Sequence, residues 1–286
     1  MTQAGIPVPP GFVVLSTAFD KFLRDPDLNG EIASVLRAVD HKELRAVENA
    51  SAKIQSLILG ADFPKDVADE VQRSLRDLNA EFVAVRSSAT AEDGAVAAWA
   101  GQLESFLNTT DETLLENIKR CWASLFTPRA IFYRFERGFQ ENICVAVVVQ
   151  KMVDSEISGV AFSVHPVTQD RNQLIIEAGF GLGEAIVSGQ ITPDRYVVEK
   201  KEWLILETNI VRQEKMLVKK PCGGTEWADV PDEKRSVQKL SGRQIMVLAR
   251  MVLNIETQYD HPCDIEWALE SPVFYITQSR PVTTLI

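Results

Sequence analysis

Three stretches of this chain carry residue types that can handle a phosphate or a hard cation. Arg86 ends an apolar strand and is followed by Ser87, Ser88 and Thr90, which offers one small anion a planar guanidinium, three hydroxyls and loop amides. The plainer reading is an arginine paired with a nearby carboxylate beside serine-rich turn residues. Near the C-terminus, residues 264–270 alternate: Asp264, Glu266, Ala268 and Glu270 share one strand face, and Ile265, Trp267 and Leu269 the other. The partner strand continues as Tyr275-Ile276-Thr277-Gln278-Ser279-Arg280. If the connecting loop takes in Ser271, Pro272 and Val273, Glu266 faces Gln278, giving hard oxygen ligands for Mg²⁺ with Arg280 close by for phosphate oxygens. A loop shorter by one residue pairs Glu266 with Thr277 instead, and the same face also reads as ordinary solvated charge. The third stretch, Gly179-Phe180-Gly181-Leu182-Gly183-Glu184, could cradle a ligand with its backbone. Its Gly-x-Gly-x-Gly spacing and the absence of repeated strand-helix-strand units argue for a tight turn over a dinucleotide fold.

Positioning these residues calls for two kinds of scaffold. Phe12 to Leu15 is expected as a short strand after a proline-rich start, followed by a helix capped by Ser16 or Thr17. Residues 31–59 and 64–78 repeat apolar positions at three- and four-residue steps, as amphipathic helices require, with Pro64 suited to a first helical position. Thr110 or Asp111 can cap a helix carrying Leu114, Leu115, Ile118 and Trp122 on one face, and Thr127-Pro128 restarts another. Beyond it the period changes to that of β structure, with strands expected over 143–153, 157–164, 173–178, 195–199 and 203–211. A helix over 241–258 and two closing strands complete the chain, while residues 221–236 read as a mobile loop. Helices first and sheet later predict an α+β protein of two lobes, residues 1–150 and 151–286.

Composition narrows the function classes. With 30 Lys+Arg against 40 Asp+Glu the net charge is −10, which opposes general adhesion to nucleic acid or anionic lipid, so a phosphate ligand needs locally placed cations. The apolar run 143–149 is far shorter than the roughly 20 residues of a membrane-spanning helix. Four dispersed cysteines and a start without a secretory pattern fit reduced thiols and a cytoplasmic location. His41, His165 and His261 stand apart from one another and from any hydrolase signature.

Taken together, the run from Val83 to Asp93, Val149-Gln150-Lys151-Met152-Val153, Ser158-Gly159-Val160-Ala161-Phe162-Ser163, the turn from Gly181 to Glu184 and Gln278-Ser279-Arg280-Pro281 occur in one order. In that order they resemble the nucleotide-binding domain shared by phosphoenolpyruvate synthase, pyruvate phosphate dikinase and rifampicin phosphotransferase. The resemblance implies an ATP-grasp fold, two α+β lobes with ATP in the cleft between them, and Mg²⁺-dependent phosphoryl transfer. It casts Arg86 and Arg280 as the phosphate-clamping arginines and Glu266 and Gln278 as the metal-binding positions. Gln150, Met152 and Val153 match the segment that reads adenine, chiefly by backbone groups. Gly101, Gln102 and Ser105 match a loop over the phosphates, and Glu184 a residue facing the ribose.

The resemblance also implies what is not in this sequence. Members of the family carry a glycine-rich loop with a phosphate-binding lysine ahead of the stretch equivalent to Ala4 to Phe12, and no lysine here occupies that place. A mobile phosphohistidine domain and a pyruvate- or antibiotic-binding domain are expected in the full-length protein or on a separate chain. The expectation is therefore the ATP-binding part of a synthase-like phosphotransferase that donates a phosphoryl group to a histidine elsewhere. The alternatives are the equivalent part of an antibiotic phosphotransferase, or a nucleotide-binding remnant that acts through protein contacts.

Overall fold

The computed structural model of the chain describes residues 1, 4–24, 27–89, 104–137 and 145–282. They fall into two units, one of Pro10–Met152 with Cys222–Gly224, the other of Met1–Pro9, Val153–Pro221 and Thr225–Ile286. We refer to them as the N-terminal and C-terminal units. Each combines helices with an antiparallel sheet, the α+β class expected from the sequence.

The N-terminal unit contains the strands β1 (Gly11–Val14), β2 (Val83–Ala89), β3 (Ser105–Thr109) and β4 (Val145–Lys151), ordered β1-β4-β2-β3. Its helices are α1 (Ser16–Arg24), α2 (Leu28–Ala38), α3 (Leu44–Gly60), α4 (Lys65–Leu78), α5 (Asp111–Ala123) and α6 (Pro128–Arg137). Pro64 occupies the N-cap of α4 with ψ 123°, one place before the helical position expected for it. Thr110 caps α5 through a reciprocal capping box with Thr113, which supplies partners for backbone donors at the helix start. The apolar face of α5 delivers Trp122, fully buried, into a cluster with Phe19, Phe22 and Phe63 at ring separations of 4.9 to 5.3 Å.

Strand β3 was not expected, and it is irregular. Val83 pairs with Thr109 but Val85 with Phe106, so β3 carries an extra residue. Asn108, within that bulge, has φ 53° and is fully buried. Its Nδ2 donates to the carbonyl of Gly224 at 2.8 Å and its own carbonyl accepts from the Gly224 N–H at 2.8 Å.

The C-terminal unit holds β5 (Ile157–Phe162), β6 (Gln173–Phe180), α7 (Glu184–Val187), β7 (Asp194–Glu199), β8 (Leu204–Asn209), β9 (Lys215–Lys219), β10 (Thr225–Asp229), α8 (Gly242–Tyr259), β11 (Cys263–Glu270) and β12 (Val273–Pro281). Six of these strands form a sheet ordered β12-β11-β5-β6-β7-β8. The buried face of α8, with Ile245, Leu248, Ala249, Val252 and Ile255, joins Ile265, Trp267, Leu269, Phe274 and Ile276 in one core. Ile6 from the chain start packs into the same core, and the Ile276 N–H donates to the Pro7 carbonyl at 2.8 Å.

The segment 221–236, expected as a loop, contains β10, which pairs with β9. Its residues are mostly exposed, so no apolar alternation marks it in the sequence. At the open edge of the large sheet every residue of β8 is exposed, including the consecutive Leu204, Ile205 and Leu206. The β7–β8 register shifts between Val197 and Val198, leaving Leu206 as a bulged residue. Among the described residues, no helix is long and apolar enough to cross a membrane.

Candidate nucleotide-binding site

In the N-terminal unit, Arg86 sits within β2, opposite Val148 of β4 and Ser105 of β3, so Arg86 and Ser105 are cross-strand neighbours. Ser105 is exposed at the start of its strand and Arg86 is half-buried. Of the three hydroxyls that follow Arg86, that of Ser87 has a protein partner. The Ser87 hydroxyl donates to the Glu104 carbonyl at 2.5 Å, the same oxygen that the Ser87 N–H reaches at 3.4 Å. Thr90, Gly101 and Gln102 lie outside the described residues.

Gln150 is buried in β4 opposite both Ala84 and Gly11. Gly11 suits that place because a Cβ there would stand 2.4 Å from the Val149 carbonyl oxygen. Beyond the strand, the Met152 N–H donates to the Phe82 carbonyl at 3.0 Å and the Lys151 N–H to the Pro10 carbonyl at 2.8 Å. Val153, buried, opens the long segment of the C-terminal unit.

In the C-terminal unit, Glu266 of β11 stands directly opposite Gln278 of β12, as expected, but by another route. The turn is shorter than the loop that this pairing requires, since Glu270 pairs with Val273 across Ser271-Pro272. An uninterrupted ladder from that turn would set Thr277 opposite Glu266. Instead Trp267 pairs with Ile276, Thr277 is bulged out, and the register beyond it moves by one. Ile276 and Phe274 accordingly enter the core, while Gln278 and Arg280 share the face of Glu266 and Asp264.

Arg280 is held on that face by Asp264, whose Oδ2 accepts from Nε and from Nη2, each at 2.8 Å. Asp264 was absent from the residues that the sequence singled out for chemistry. The alternation of β11 and the expected Glu266–Gln278 register had placed it opposite Arg280, and the structure adds the ion pair between them. Two strands from Glu266 the same face carries Glu177, since Glu266 pairs with Val160 and Val160 with Glu177. Burial holds the Glu177 carboxyl above its ordinary value, opposed by the Arg195 charge opposite it and reinforced by Asp264.

Glu184 is exposed at the first position of α7, directly after the glycine turn. Gly181 has φ 87°, and a Cβ on it would lie 2.4 Å from the Leu217 carbonyl oxygen, so the turn admits no side chain there. All strand pairs of this sheet are antiparallel, which removes the dinucleotide-fold reading of the glycines. Among the described residues no group of three or more His, Cys, Asp and Glu could form an all-protein metal cage. The Glu266–Gln278 pair is a different donor set, two hard oxygens of the kind Mg²⁺ accepts when phosphates and waters complete its shell.

Residues 1–286 match the family described as pyruvate phosphate dikinase, AMP/ATP-binding domain. The chain belongs to this family. It is 44% identical to the probable phosphoenolpyruvate synthase of Methanocaldococcus jannaschii, over 100% of this chain and 25% of that protein. It is 38% identical to the phosphoenolpyruvate synthase of Pyrococcus furiosus, over 100% of this chain and 41% of that protein. With the rifampicin phosphotransferase of Bacillus subtilis it shares 39% identity over 98% of this chain and 33% of that protein. The chain thus spans less than half the length of each of those relatives.

Proposed function

We propose that this AMP/ATP-binding domain is the donor part of a phosphoenolpyruvate synthase-like phosphotransferase, an ATP-grasp unit that presents Mg-ATP to a histidine on a separate swivelling domain. The observation that carries the reading is the row on the C-terminal sheet, where Glu266 and Gln278 face each other and Arg280 is held beside them by Asp264. In this reading Glu266 and Gln278 hold Mg²⁺, which when bound draws charge from the phosphate oxygens. Arg280 uses Nε and Nη2 on Asp264, so its Nη1 is the group assigned to a phosphate oxygen. Arg86, with Ser105 beside it, contributes the second guanidinium, and a planar fork suits the charge that spreads over the phosphate as its bridging bond breaks. Adenine is assigned to Gln150, Met152 and Val153, ribose to Glu184, and further phosphate contacts to Gly101 and Gln102.

The relatives support this assignment by their names, phosphoenolpyruvate synthase in the first group and rifampicin phosphotransferase in the second. Pyruvate and an antibiotic are therefore the two acceptor classes to compare, and the choice between them rests with domains that the relatives' extra length accommodates.

The test is calorimetry of Mg-ATP on this chain and on Arg86→Ala, followed by incubation with ATP and an isolated phosphohistidine domain. Binding that weakens in the variant, with AMP and labelled histidine formed by the unaltered chain, supports the donor role. Binding without transfer to the histidine favours the remnant reading, and no heat from either protein removes the nucleotide site.

A further inference from the structure

The glycine turn before Glu184 is fixed by a residue far from it in sequence. Gln213, 3% exposed, follows β8, and its carboxamide wraps the backbone of Phe180. Oε1 accepts from the Phe180 N–H at 2.9 Å, while Nε2 donates to the Phe180 carbonyl at 3.0 Å and to the Lys215 carbonyl at 2.9 Å. Only an amide can take one donor and serve two acceptors in this way; a carboxylate lacks the donors and an apolar side chain lacks both. The next residue is held just as closely. The Gly181 N–H reaches the Glu156 carbonyl at 3.1 Å, and the Gly181 carbonyl accepts from the hydroxyls of Ser158 at 2.5 Å and Ser155 at 3.3 Å. Lys239, ion-paired with Asp194, lies 5.4 Å from the Phe180 ring centre.

Helix α7 has four residues, too few to fix its own direction by helical cooperativity, so the turn before it and the burial of Ala185 and Ile186 set its orientation. Glu184 is its first residue. We propose that Gln213 is a positioning residue for nucleotide selection: by locking the Phe180–Gly181 backbone it sets where Glu184 presents its carboxylate to ribose hydroxyls. The inference rests on the reading above that Glu184 faces the ribose. Filling the space alone would need only an apolar side chain of similar size, whereas three hydrogen bonds from a buried amide specify a position.

The phosphate contacts proposed for Glu266, Gln278 and Arg280 come from other strands, so they are separable from this effect. The experiment measures Mg²⁺-dependent binding of ATP, 2′,3′-dideoxy-ATP and inorganic tripolyphosphate to the whole chain, to Gln213→Met and to Glu184→Gln. The expected result is an approximately tenfold preference of the unaltered chain for ATP over the dideoxy nucleotide, the scale of one hydrogen bond to a charged group. That preference disappears in both variants while tripolyphosphate binding stays within about twofold. Ser158→Ala, which removes another bond to the same turn, reduces the preference partway and serves if Gln213→Met does not fold. A Gln213→Met protein that keeps the ribose preference, or loses tripolyphosphate binding equally, overturns the inference. An unaltered chain that binds tripolyphosphate but ignores the ribose overturns the Glu184 assignment and this inference with it, while leaving the phosphate site standing.

Discussion

Gln278 faces Glu266 because one residue, Thr277, bulges out of β12 between the part of the strand that feeds the core and the part that carries polar groups. A regular strand after the same two-residue turn would direct Gln278 into the apolar core and place Thr277 opposite the carboxylate. The pairing itself, and not the bulge that achieves it, is what the metal assignment needs. Deleting Thr277 leaves Gln278 as the next residue opposite Glu266, so Mg²⁺-dependent nucleotide affinity is expected to fall less than about threefold, whereas Gln278→Leu lowers it by about tenfold. Calorimetry in the presence and absence of Mg²⁺ separates the two.

The Asp264–Arg280 pair predicts a second effect on the same face. Removing the carboxylate in Asp264→Ala releases Nε and Nη2 of Arg280 and lets the guanidinium move. Nucleotide affinity should drop by up to about tenfold, while the thermal midpoint changes little because the arginine is partly solvated. An unchanged affinity would mean that Arg280 does not need this support.

Asp194 and Lys239 make the opposite case, a pair whose side chains are both 0% exposed. The Asp194 carboxylate also accepts from the Val211 N–H, the Lys239 N–H and the Tyr196 hydroxyl. Lys239→Met strips away the compensating cation and leaves the carboxylate buried, at a cost of about 3 kcal/mol or more in unfolding free energy. Asp194→Leu combined with Lys239→Met should recover part of that loss, which urea denaturation of the single and double variants will measure.

Asn108 combines a left-handed backbone with two bonds to Gly224. Asn108→Ala adds about 1 kcal/mol for the unfavourable φ to about 1 kcal/mol for the lost side-chain bond. Asn108→Gly keeps the backbone bond and relieves the φ cost, so it should sit between the alanine variant and the unaltered chain in denaturant midpoint.

The thiols should differ in reactivity. Burial pushes the Cys121 thiol up to about 12, and Cys222 is exposed. A raised value means less thiolate, roughly one part in ten thousand at pH 8, so Cys121 should resist alkylation until the chain unfolds or the pH rises far above 8. Peptide mapping after brief treatment with iodoacetamide should find label on Cys222 and none on Cys121.

The features most legible in the sequence were those fixed by local chemistry. The capped helices α5 and α8 and the strand alternation of β11 follow from spacing alone, and so did the placing of Asp264, Glu266 and Glu270 on one face. Strands β3, β9 and β10 were not legible, because none shows a clean two-residue apolar period. The Glu266–Gln278 pairing was anticipated from a longer loop, whereas the structure combines a shorter turn with a bulge; sequence spacing fixes the sum of the two but not the division between them. Gln213 as the clamp on Phe180 depends on a contact across 33 residues that no local pattern announces, while the Asp264–Arg280 juxtaposition was implicit in the expected Glu266–Gln278 register.

The bulge at Leu206 has a consequence for how the molecule meets its own kind. A strand offered from a neighbouring copy could follow the edge for only two or three residues before the donors and acceptors fell out of step. Three neighbouring apolar side chains can therefore stand at an open border without templating a growing stack. Straightening that border by deleting Leu206 would turn a blunt margin into an adhesive one.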